Sequence, residues 1–444
     1  MMRPARNETT GSARIHGRRA NRGVVLVMVL WIVVLMTTTV AIVSRTGRLD
    51  MKMATAAADE VRCKWACRAG TEIAIGLLNQ DSRATDSLSE LWSDNDEDYN
   101  DVPLERCTYN VYVTDEAGKL NVNTATRDQL MALPYMETPI ADAILDWRDG
   151  DDNPQAEGAE AGYYENLPFA YTIRNGPFRT IRELLRVRGV TKDLLYGQEA
   201  DLGRQPAVTQ ADGEPSPPIG GQDRRVDPGW IAYLTCYSFE KNVDADGQNR
   251  VNINQADEQQ LQNGLGISAP QARWIVQNRG GGYQNVAGLI NQNSPKEPPK
   301  DSRDDGNRAD PIDLQTFSNI ADKITTSTDA TLQGTVNINT APKEVLVALL
   351  GGGDQAEQIA ESILVDRSGR LYGYQSIADL LNVSSMTIDR LKSIAGLLTV
   401  RSNVFTVRCY ATADVSGATL QSECVVDRSE TPCKILYWYH GANY

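Results

Sequence analysis

The sequence predicts an α+β protein in which a long N-terminal helix packs on an antiparallel β-sheet and helical modules are inserted into the sheet. Three observations predict this class. An uncharged apolar run occupies residues 24–43. An Asn-(Val/Ile)-Asn motif recurs three times, each time before a helical pattern. Alternating β-branched and aromatic residues fill much of the stretch 398–439, as in antiparallel strands.

The apolar run contains no charge, proline or glycine. As a helix rising about 1.5 Å per residue it is about 30 Å long, the thickness of a bilayer's hydrocarbon core. Arginines precede it at Arg14, Arg18, Arg19 and Arg22. Their charge places the N-terminus in the cytoplasm and the rest of the chain across the membrane. The alternative is a cleaved secretory signal, but the run exceeds the usual apolar core and no small-x-small site closes it.

Residues 44–80 are rich in alanine and contain no proline, so we expect the anchor helix to continue as a soluble stem. A polar, acidic linker follows at 81–101. Residues 109–113 alternate like a strand, and 115–118 form its turn.

Charge and histidine content exclude several function classes. The formal net charge is −14, and removal of residues 1–23 would take away six arginines and one glutamate, leaving −19. That balance repels phosphates and argues against nucleic acid as a partner. The two histidines are His16 and His440, which argues against a Ser-His-Asp triad, a His-rich zinc site or a histidine base.

The seven cysteines contain no C-x-x-C pair, and an export-side compartment permits disulfides. Residues 403–415 and 418–428 are expected to form a hairpin closed by a two-residue turn at Ser416 and Gly417. That register places Cys409 opposite Cys424, which makes them the disulfide candidate, with Cys433 as the competing partner.

The internal repeat begins at residues 119, 251 and 336. Each copy has the Asn-x-Asn core, a helical pattern, and later an aromatic residue that opens a second apolar helix. The aromatic residues are Phe178, Tyr283 and Tyr374. Each copy is therefore one small helical module, and the first contains an insertion.

The module resembles the helix-hairpin-helix family, whose usual role is to bind DNA phosphates through a glycine-containing hairpin. The second copy, Gly264-Leu265-Gly266, is close to that hairpin, but the first has Pro134-Tyr135 instead. Acidic residues occupy positions where phosphate binding would need basic residues. We interpret the copies as packing modules and keep DNA binding as the alternative.

The insertion in the first copy is an acidic loop, residues 146–164, interrupted by Gly150, Pro154, Gly158 and Gly162. A solvated acidic loop is the simple interpretation. The alternative is a calcium site, since closely spaced carboxylates with turn formers supply the oxygen ligands that hard cations take. The spacing does not fit the EF-hand pattern.

The junction Arg22-Gly23-Val24 resembles the class III signal of type IV pilins and pseudopilins. The resemblance implies that a prepilin peptidase cuts after Gly23 and leaves Val24 as the N-terminus. Most of that family has a glutamate at the fifth mature position, where this chain has Met28. The K-type minor pseudopilin, which is thought to sit at the pilus tip, typically lacks that glutamate.

The acidic loop and the segment after it resemble general secretion pathway protein K. The resemblance lies in Asp146-Trp147-x-Asp149-x-Asp151, the Asn175-Gly176-Pro177-Phe178 run and residues 187–191, VRGVT. It covers residues 18–200 and 331–440 well. It implies a structural calcium ion bound through Asp149, Asp151 and Glu160, with Asp146 and Asp152 as further candidates. Family members often have an acidic residue directly after Glu160, where this chain has Ala161.

These interpretations divide the chain into nine segments. They are the leader (1–23), the transmembrane helix (24–43), the stem (44–80), a linker with the first β element (81–118), the first module with the acidic loop (119–202), a linker (203–228), an extra strand with the second module (229–330), the third module (331–397) and the C-terminal antiparallel sheet (398–444).

The resemblance implies a non-enzymatic minor pseudopilin of a type II secretion system that initiates or caps the pseudopilus. Its expected partners are other minor pseudopilins of the I and J type, the inner membrane and the prepilin peptidase, with no nucleic acid. The expected location is the inner membrane, single-pass, with the C-terminal part in the periplasm. Two alternatives stay open: a membrane-tethered DNA receptor of the competence type, and a membrane-anchored hydrolase that uses the carboxylate cluster.

Overall fold

The structure, a computed structural model, describes residues 22–197, 228–290 and 309–442. It divides after Asp59 into an N-terminal part and a C-terminal part that begins at Glu60. The leader up to residue 21, nearly all of the predicted linker 203–228, and residues 291–308 lie outside the described residues.

The described helices have these bounds: α1 (Arg22–Gln80), α2 (Asp96–Tyr99), α3 (Arg127–Met131), α4 (Thr138–Arg148), α5 (Ala161–Glu165), α6 (Lys192–Tyr196), α7 (Glu258–Leu265), α8 (Ala269–Asn278), α9 (Leu314–Ile320), α10 (Lys343–Leu349), α11 (Asp354–Ser368) and α12 (Ile388–Ile394). The described strands are β1 (Val102–Leu104), β2 (Cys107–Asp115), β3 (Leu120–Asn121), β4 (Leu234–Thr235), β5 (Phe239–Lys241), β6 (Val251–Asn252), β7 (Ile324–Thr325), β8 (Thr331–Gln333), β9 (Val336–Asn337), β10 (Leu398–Thr399), β11 (Val404–Ala413), β12 (Thr419–Asp427) and β13 (Lys434–Ala442).

The N-terminal part consists of the first portion of α1, which is long and apolar enough to cross a membrane. Its large apolar side chains are exposed. The hydroxyls of Thr37, Thr38 and Thr39 donate to carbonyl oxygens of the preceding turn, at 2.9, 2.9 and 2.6 Å. The threonine hydroxyls are thus hydrogen-bonded within the helix, as polar groups in an apolar surrounding must be.

In the C-terminal part, the last turns of α1 pack on a five-stranded antiparallel sheet of order β1-β2-β11-β12-β13. Small residues on the helix let it lie close to the sheet. A Cβ atom at Gly70 would lie 2.8 Å from the Val111 side chain and 2.9 Å from that of Tyr109. Trp92 and Phe405 fill the same core, with ring centroids 4.9 Å apart. The predicted α+β class, with the stem helix on an antiparallel sheet, is confirmed.

The hairpin between β11 and β12 has a different register from the predicted one. Cys409 lies opposite Ser422, and Cys424 lies opposite Val407. The reason is the turn, residues 414–417, which is closed by the Ala413 N–H donating to the Ala418 carbonyl at 2.9 Å. A four-residue turn in place of the predicted two-residue turn shifts every cross-strand pair by two residues, so the predicted Cys409–Cys424 disulfide is wrong.

The three modules share one element order, which explains the sequence repeat. In the described residues, each opens with a short strand, continues through two α-helices, a 3₁₀ helix, a further α-helix and a second 3₁₀ helix, and closes with a strand parallel to the opening one. The first module has α5 in addition, after the acidic loop. The opening and closing strands pair as β3 with β4, β6 with β7, and β9 with β10. The repeat is therefore a closed structural module; its assignment to the helix-hairpin-helix family stays a prediction.

Closure of the first module corrects one predicted boundary. The extra strand predicted in the segment 229–330 is replaced at its start by a 3₁₀ helix at Trp230–Ala232, which β4 follows. β4 pairs with β3, so the first module ends at Thr235 rather than at residue 202. The strand partner lies more than a hundred positions away along the chain, and a local pattern carries no information about it.

The two asparagines of each motif have separate structural roles. The side-chain oxygen of the first accepts the backbone N–H of the second, at 2.9, 2.9 and 3.0 Å in the three modules. The second asparagine both donates to and accepts from the backbone of one aromatic residue. Those aromatic residues are Phe178, Tyr283 and Tyr374. The motif therefore holds the later half of each module against its opening strand.

Candidate metal-binding site in the acidic loop

The acidic loop joins the end of α4 to the start of α5 and brings three carboxylates together. Asp146 lies on the last turn of α4, Asp149 directly follows that helix, and Glu160 directly precedes α5. One carboxylate oxygen from each lies within 4.8 Å of the others. Asp146 and Glu160 are buried, and Asp149 is half-buried.

Most oxygens of this cluster have no protein partner. Asp146 Oδ2, Asp149 Oδ1 and both Glu160 oxygens are buried and accept no hydrogen bond. Asp146 Oδ1 accepts the Gln155 backbone N–H at 3.0 Å. Buried polar atoms are nearly always satisfied, so four such carboxylate oxygens at one place fit either a bound cation or protonated carboxyl groups.

The electrostatics of the cluster lead to the same inference. Burial, followed by repulsion from Asp146, Asp149 and Asp152, raises the pKa of Glu160 to about 7. Burial also raises the pKa values of Asp146 and Asp149 above their ordinary range, and neighbouring carboxylates add to both shifts. All three pKa values move in the same direction, whereas an acid–base pair of a hydrolase has pKa values pushed apart.

Two of the predicted ligands lie at the rim of the cluster. Asp151 and Asp152 are exposed. Asp151 Oδ1 accepts the Asn153 backbone N–H at 2.8 Å, and Asp152 Oδ1 accepts from Asn175 Nδ2 at 3.0 Å. The structure therefore brings Asp146, Asp149 and Glu160 together and leaves Asp151 and Asp152 outside that group.

Asn175 is a candidate ligand that sequence reasoning missed. Its Nδ2 donates to the Asp151 carbonyl at 2.8 Å as well as to Asp152, while its Oδ1 is buried and unpartnered. Its backbone φ is +49°, a left-handed conformation that asparagine tolerates better than most residues. The signal in the sequence was an asparagine directly before Gly-Pro, in the Asn175-Gly176-Pro177-Phe178 run.

Several contacts fix the shape of the loop. A Cβ atom at Gly158 would overlap the Asp146 carboxylate, so that position needs glycine. The Arg188 guanidinium donates to the carbonyl oxygens of Glu157 and Gly158, at 3.3 and 3.1 Å. Because these carbonyls belong to the backbone, the contact is not an ion pair with the carboxylates of the cluster.

An aromatic cluster connects the site to the first Asn-x-Asn motif. The Trp147 ring stacks on Phe178 at a centroid distance of 6.0 Å and meets Tyr164 edge-on at 5.4 Å. The Phe178 backbone N–H donates to Asn123 Oδ1 at 2.7 Å. A ligand bound at the end of α4 would therefore stabilise the packing of the first module.

The donor set consists of oxygens alone: the carboxylates of Asp146, Asp149 and Glu160, with the buried amide oxygen of Asn175 as a further candidate. Hard cations such as Ca²⁺ prefer such ligands, and zinc prefers histidine and cysteine. These residues fit a calcium ion that acts as a structural cross-link.

A second group of close carboxylates, Asp81, Asp86 and Glu90, was not predicted. There the fully buried Arg428 guanidinium binds Asp81 at 2.6 Å and also pairs with Asp86. The protein itself supplies the counter-charge, so this group is a buried ion-pair network.

Three arginines donate hydrogen bonds to the backbone of their own modules, which is relevant to the alternative of DNA binding. Arg148, Arg279 and Arg367 each occupy the same place in their module and donate to backbone carbonyls next to the Asn-x-Asn motif. Their guanidinium groups are thus engaged within the fold. A phosphate-binding surface would need basic side chains directed to solvent.

The remaining predicted site residues lie at the start of α1. Gly23 and Val24 are both helical, and the Val24 side chain is 54% exposed. Residues 1–21, which contain most of the predicted basic leader, lie outside the described part of the chain.

Two family models, both described as type II secretion system (T2SS), protein K, match this chain at residues 114–196 and 336–401. The first match contains the acidic loop and the second contains most of the third module. The second module falls outside both matches.

Similar proteins carry the same description. Type II secretion system protein K of Pectobacterium carotovorum subsp. carotovorum is 27% identical over 201 residues, which are 40% of this chain and 61% of the relative. The protein of that name from Klebsiella pneumoniae is 25% identical over 190 residues, 38% of this chain and 58% of the relative. The chain thus spans about three fifths of the length of these relatives.

A solved structure of the GspK-GspI-GspJ complex from the enterotoxigenic Escherichia coli type 2 secretion system contains a similar chain. Its TM-score is 0.46 with 13% sequence identity, over 86% of this chain and 97% of that one.

Proposed function

We propose that this chain is a minor pseudopilin that initiates or caps the pseudopilus during protein export, because two family models of type II secretion system protein K match it at residues 114–196 and 336–401. In this proposal it is anchored in the inner membrane by residues 24–43, its C-terminal part lies in the periplasm, and it performs no catalysis. Its partners are other minor pseudopilins of the I and J type.

The observation that carries the proposal is α1. Its first portion has the length and apolar surface of a membrane span, and its last turns present small residues to the antiparallel sheet. Helices of this kind can assemble side by side in a membrane and in a filament core while the sheet stays outside.

A place at the tip is supported by two features. The fifth residue after Gly23 is Met28, so the helix lacks the carboxylate that could pair with the N-terminus of a subunit above. Three helical modules are inserted between β2 and β11, and they add a large body to the sheet. A subunit with that extra bulk fits the end of a helical stack more readily than its middle.

We propose further that the acidic loop binds one or more calcium ions through Asp146, Asp149 and Glu160, with Asn175 beside them. A calcium ion would supply the positive charge that these carboxylates lack and would join the end of α4 to the start of α5. Its role would be structural.

Processing and secretion test the proposed function together. In the bacterium that makes this protein, deletion of its gene should abolish secretion, and the mature protein should begin at Val24 by N-terminal sequencing. Gly23→Leu should leave the leader attached and prevent complementation. Gly47→Leu is the matched control, since it adds the same side chain to another open position of α1 and should be processed normally. Normal secretion in the deletion strain would contradict the proposal.

A further inference from the structure

Four buried cysteines form two contacts between the stem helix and the sheet. Cys63 Sγ lies 3.8 Å from Cys107 Sγ, at the start of β2. One helical turn further on, Cys67 Sγ lies 3.4 Å from the carbonyl oxygen of Cys409 on β11. All four side chains are at most 2% exposed.

The arrangement favours thiol pairs over a metal site. In the ladder between β2 and β11, Cys107 lies opposite Ala413, four residues from Cys409. Four residues of strand correspond to about 13 Å, too far for both thiols to bind one ion, since Zn–S bonds are about 2.3 Å long. Cys63 and Cys67 are also spaced so that each faces its own sheet cysteine, and helical geometry does not favour a bridge between the two.

The Cys63–Cys107 contact joins the two sulfur atoms directly, at 3.8 Å. Two sulfurs in van der Waals contact must approach each other by about 1.8 Å to reach the 2.05 Å of a disulfide. The helix already lies close to the strand at this level because Ala66 and Gly70 face the sheet. The thiols are carried by regular elements, α1 and β2, so the pair is held in place by the fold.

We propose that Cys63 and Cys107 form a disulfide that fastens the stem helix to the sheet after the chain reaches the export side, an inference that rests on the proposed location of the C-terminal part. One thiolate attacks a disulfide of a thiol–disulfide exchange protein and forms a mixed disulfide. The second thiolate displaces that protein from the first sulfur. The two cysteines lose two protons and two electrons, and the exchange protein leaves as a dithiol.

The link closes a covalent loop between α1 and β2, near the point where α1 begins to pack on the sheet. Such a loop prevents the helix from separating from the sheet when the stem is pulled during assembly or extension of a filament. It also restricts the unfolded chain, so it stabilises the folded domain.

Peptide mapping of the full chain tests the proposal. Cells are quenched in acid, thiols are blocked with N-ethylmaleimide in denaturant, and the digest is analysed by mass spectrometry without reduction. We expect a peptide pair linked through Cys63 and Cys107. Cys63→Ser and Cys107→Ser should each remove it, and Cys236→Ser is the matched control that should retain it. Blocked thiols at both positions, or links from Cys63 to Cys409 or from Cys67 to Cys107, would overturn it.

A melting experiment separates the disulfide from ordinary packing. The full chain in detergent should melt several degrees lower after reduction with dithiothreitol. The Cys63→Ser, Cys107→Ser double variant should melt at the same temperature with and without reductant. Equal melting of the wild type in both conditions would contradict the proposal.

Protease added to spheroplasts of the same cells shows where the C-terminal part lies. Thiols found reduced in a protease-accessible domain overturn the disulfide alone. Thiols found reduced in a protected, cytoplasmic domain overturn both the disulfide and the proposed function.

Discussion

Two clusters of buried carboxylates in the C-terminal part differ in the source of their counter-charge. Asp81 and Asp86 share the guanidinium of Arg428, which is fully buried and also lies over the Phe405 ring at 4.8 Å. Asp146, Asp149 and Glu160 are equally close together, and their inner oxygens have no protein partner.

The difference shows that close carboxylates alone do not identify a metal site. In the first cluster the chain provides an arginine from a distant strand end, so an added cation would have to compete with it. In the second cluster the nearest arginines, Arg148 and Arg188, donate to backbone carbonyls instead. Among the described residues, only the second cluster has no arginine or lysine paired with its carboxylates, so an ion from solution could supply that charge.

The largest expected effect is the loss of the internal counter-charge. Arg428→Met should lower the free energy of unfolding by about 3–5 kcal/mol, since it removes the counter-charge of Asp81 and Asp86. Burial already raises the pKa of Asp86, and the Arg428 guanidinium acts against that rise. Urea denaturation measures the loss. Lys343→Met breaks the exposed pair with Glu361 and should cost less than about 1 kcal/mol; similar losses for the two variants would contradict the comparison.

The second expected effect is stabilisation by calcium. Calcium at a hundred times its dissociation constant should stabilise the wild type by about 2.7 kcal/mol relative to chelator. Thermal melting in chelator and in calcium measures the difference. Glu160→Gln and Asp149→Asn should abolish it, whereas Arg428→Met should retain a calcium response at its own lower stability. Identical melting of the wild type with and without calcium would show that the acidic loop binds no structural ion.

The third expected effect is pH dependence that differs with and without calcium. In chelator, Glu160 has a folded-state pKa raised from 4.5 to about 7, so the folded protein keeps a proton that the unfolded chain releases. In chelator, the free energy of unfolding should therefore fall as the pH rises from 4.5 to about 7. At the lower end of this pH range, protons compete with calcium for the carboxylates. The calcium-induced melting shift should thus shrink from about pH 8 to about pH 5. Glu160→Gln should have a weaker pH dependence in chelator; an unchanged profile would remove Glu160 from the cluster.

The smallest expected effect concerns the predicted ligands at the rim. Asp151→Asn leaves the three inner carboxylates in place, so it should weaken calcium binding only a few-fold and change the stability in chelator by less than about 0.5 kcal/mol. Calcium titration calorimetry checks the affinity. A loss of binding as large as that of Glu160→Gln would place Asp151 inside the coordination sphere and require the loop to rearrange around the ion.

Much of the fold could be predicted from local patterns. The uncharged run at 24–43 and the alanine-rich stem indicated one long helix, because helix length and apolar periodicity are properties of consecutive residues. The Asn-x-Asn repeat indicated a module that recurs three times. In the structure, Asn123, Asn254 and Asn339 each bind the backbone of one aromatic residue, which explains why the motif and the aromatic recur together.

The site could be predicted in part. Asp146, Asp149 and Glu160 were named as ligands, and the structure brings them together. Asp151 and Asp152 were named with them because they are near in sequence, but the loop turns them outward. Asn175 was missed because its amide reaches the loop from beyond α5, through a left-handed backbone that no spacing rule indicates.

The sequence by itself determined the apolar anchor, the α+β class, the three modules and the excess of carboxylates in the acidic loop. Tertiary structure alone decided the hairpin register that separates Cys409 from Cys424, the pairing of β4 with β3, and the match of Cys63 with Cys107. It also decided which acidic cluster receives Arg428. The physical reason is that helices, turns and apolar runs depend on neighbouring residues, whereas strand partners and counter-charges come from residues that only folding brings near.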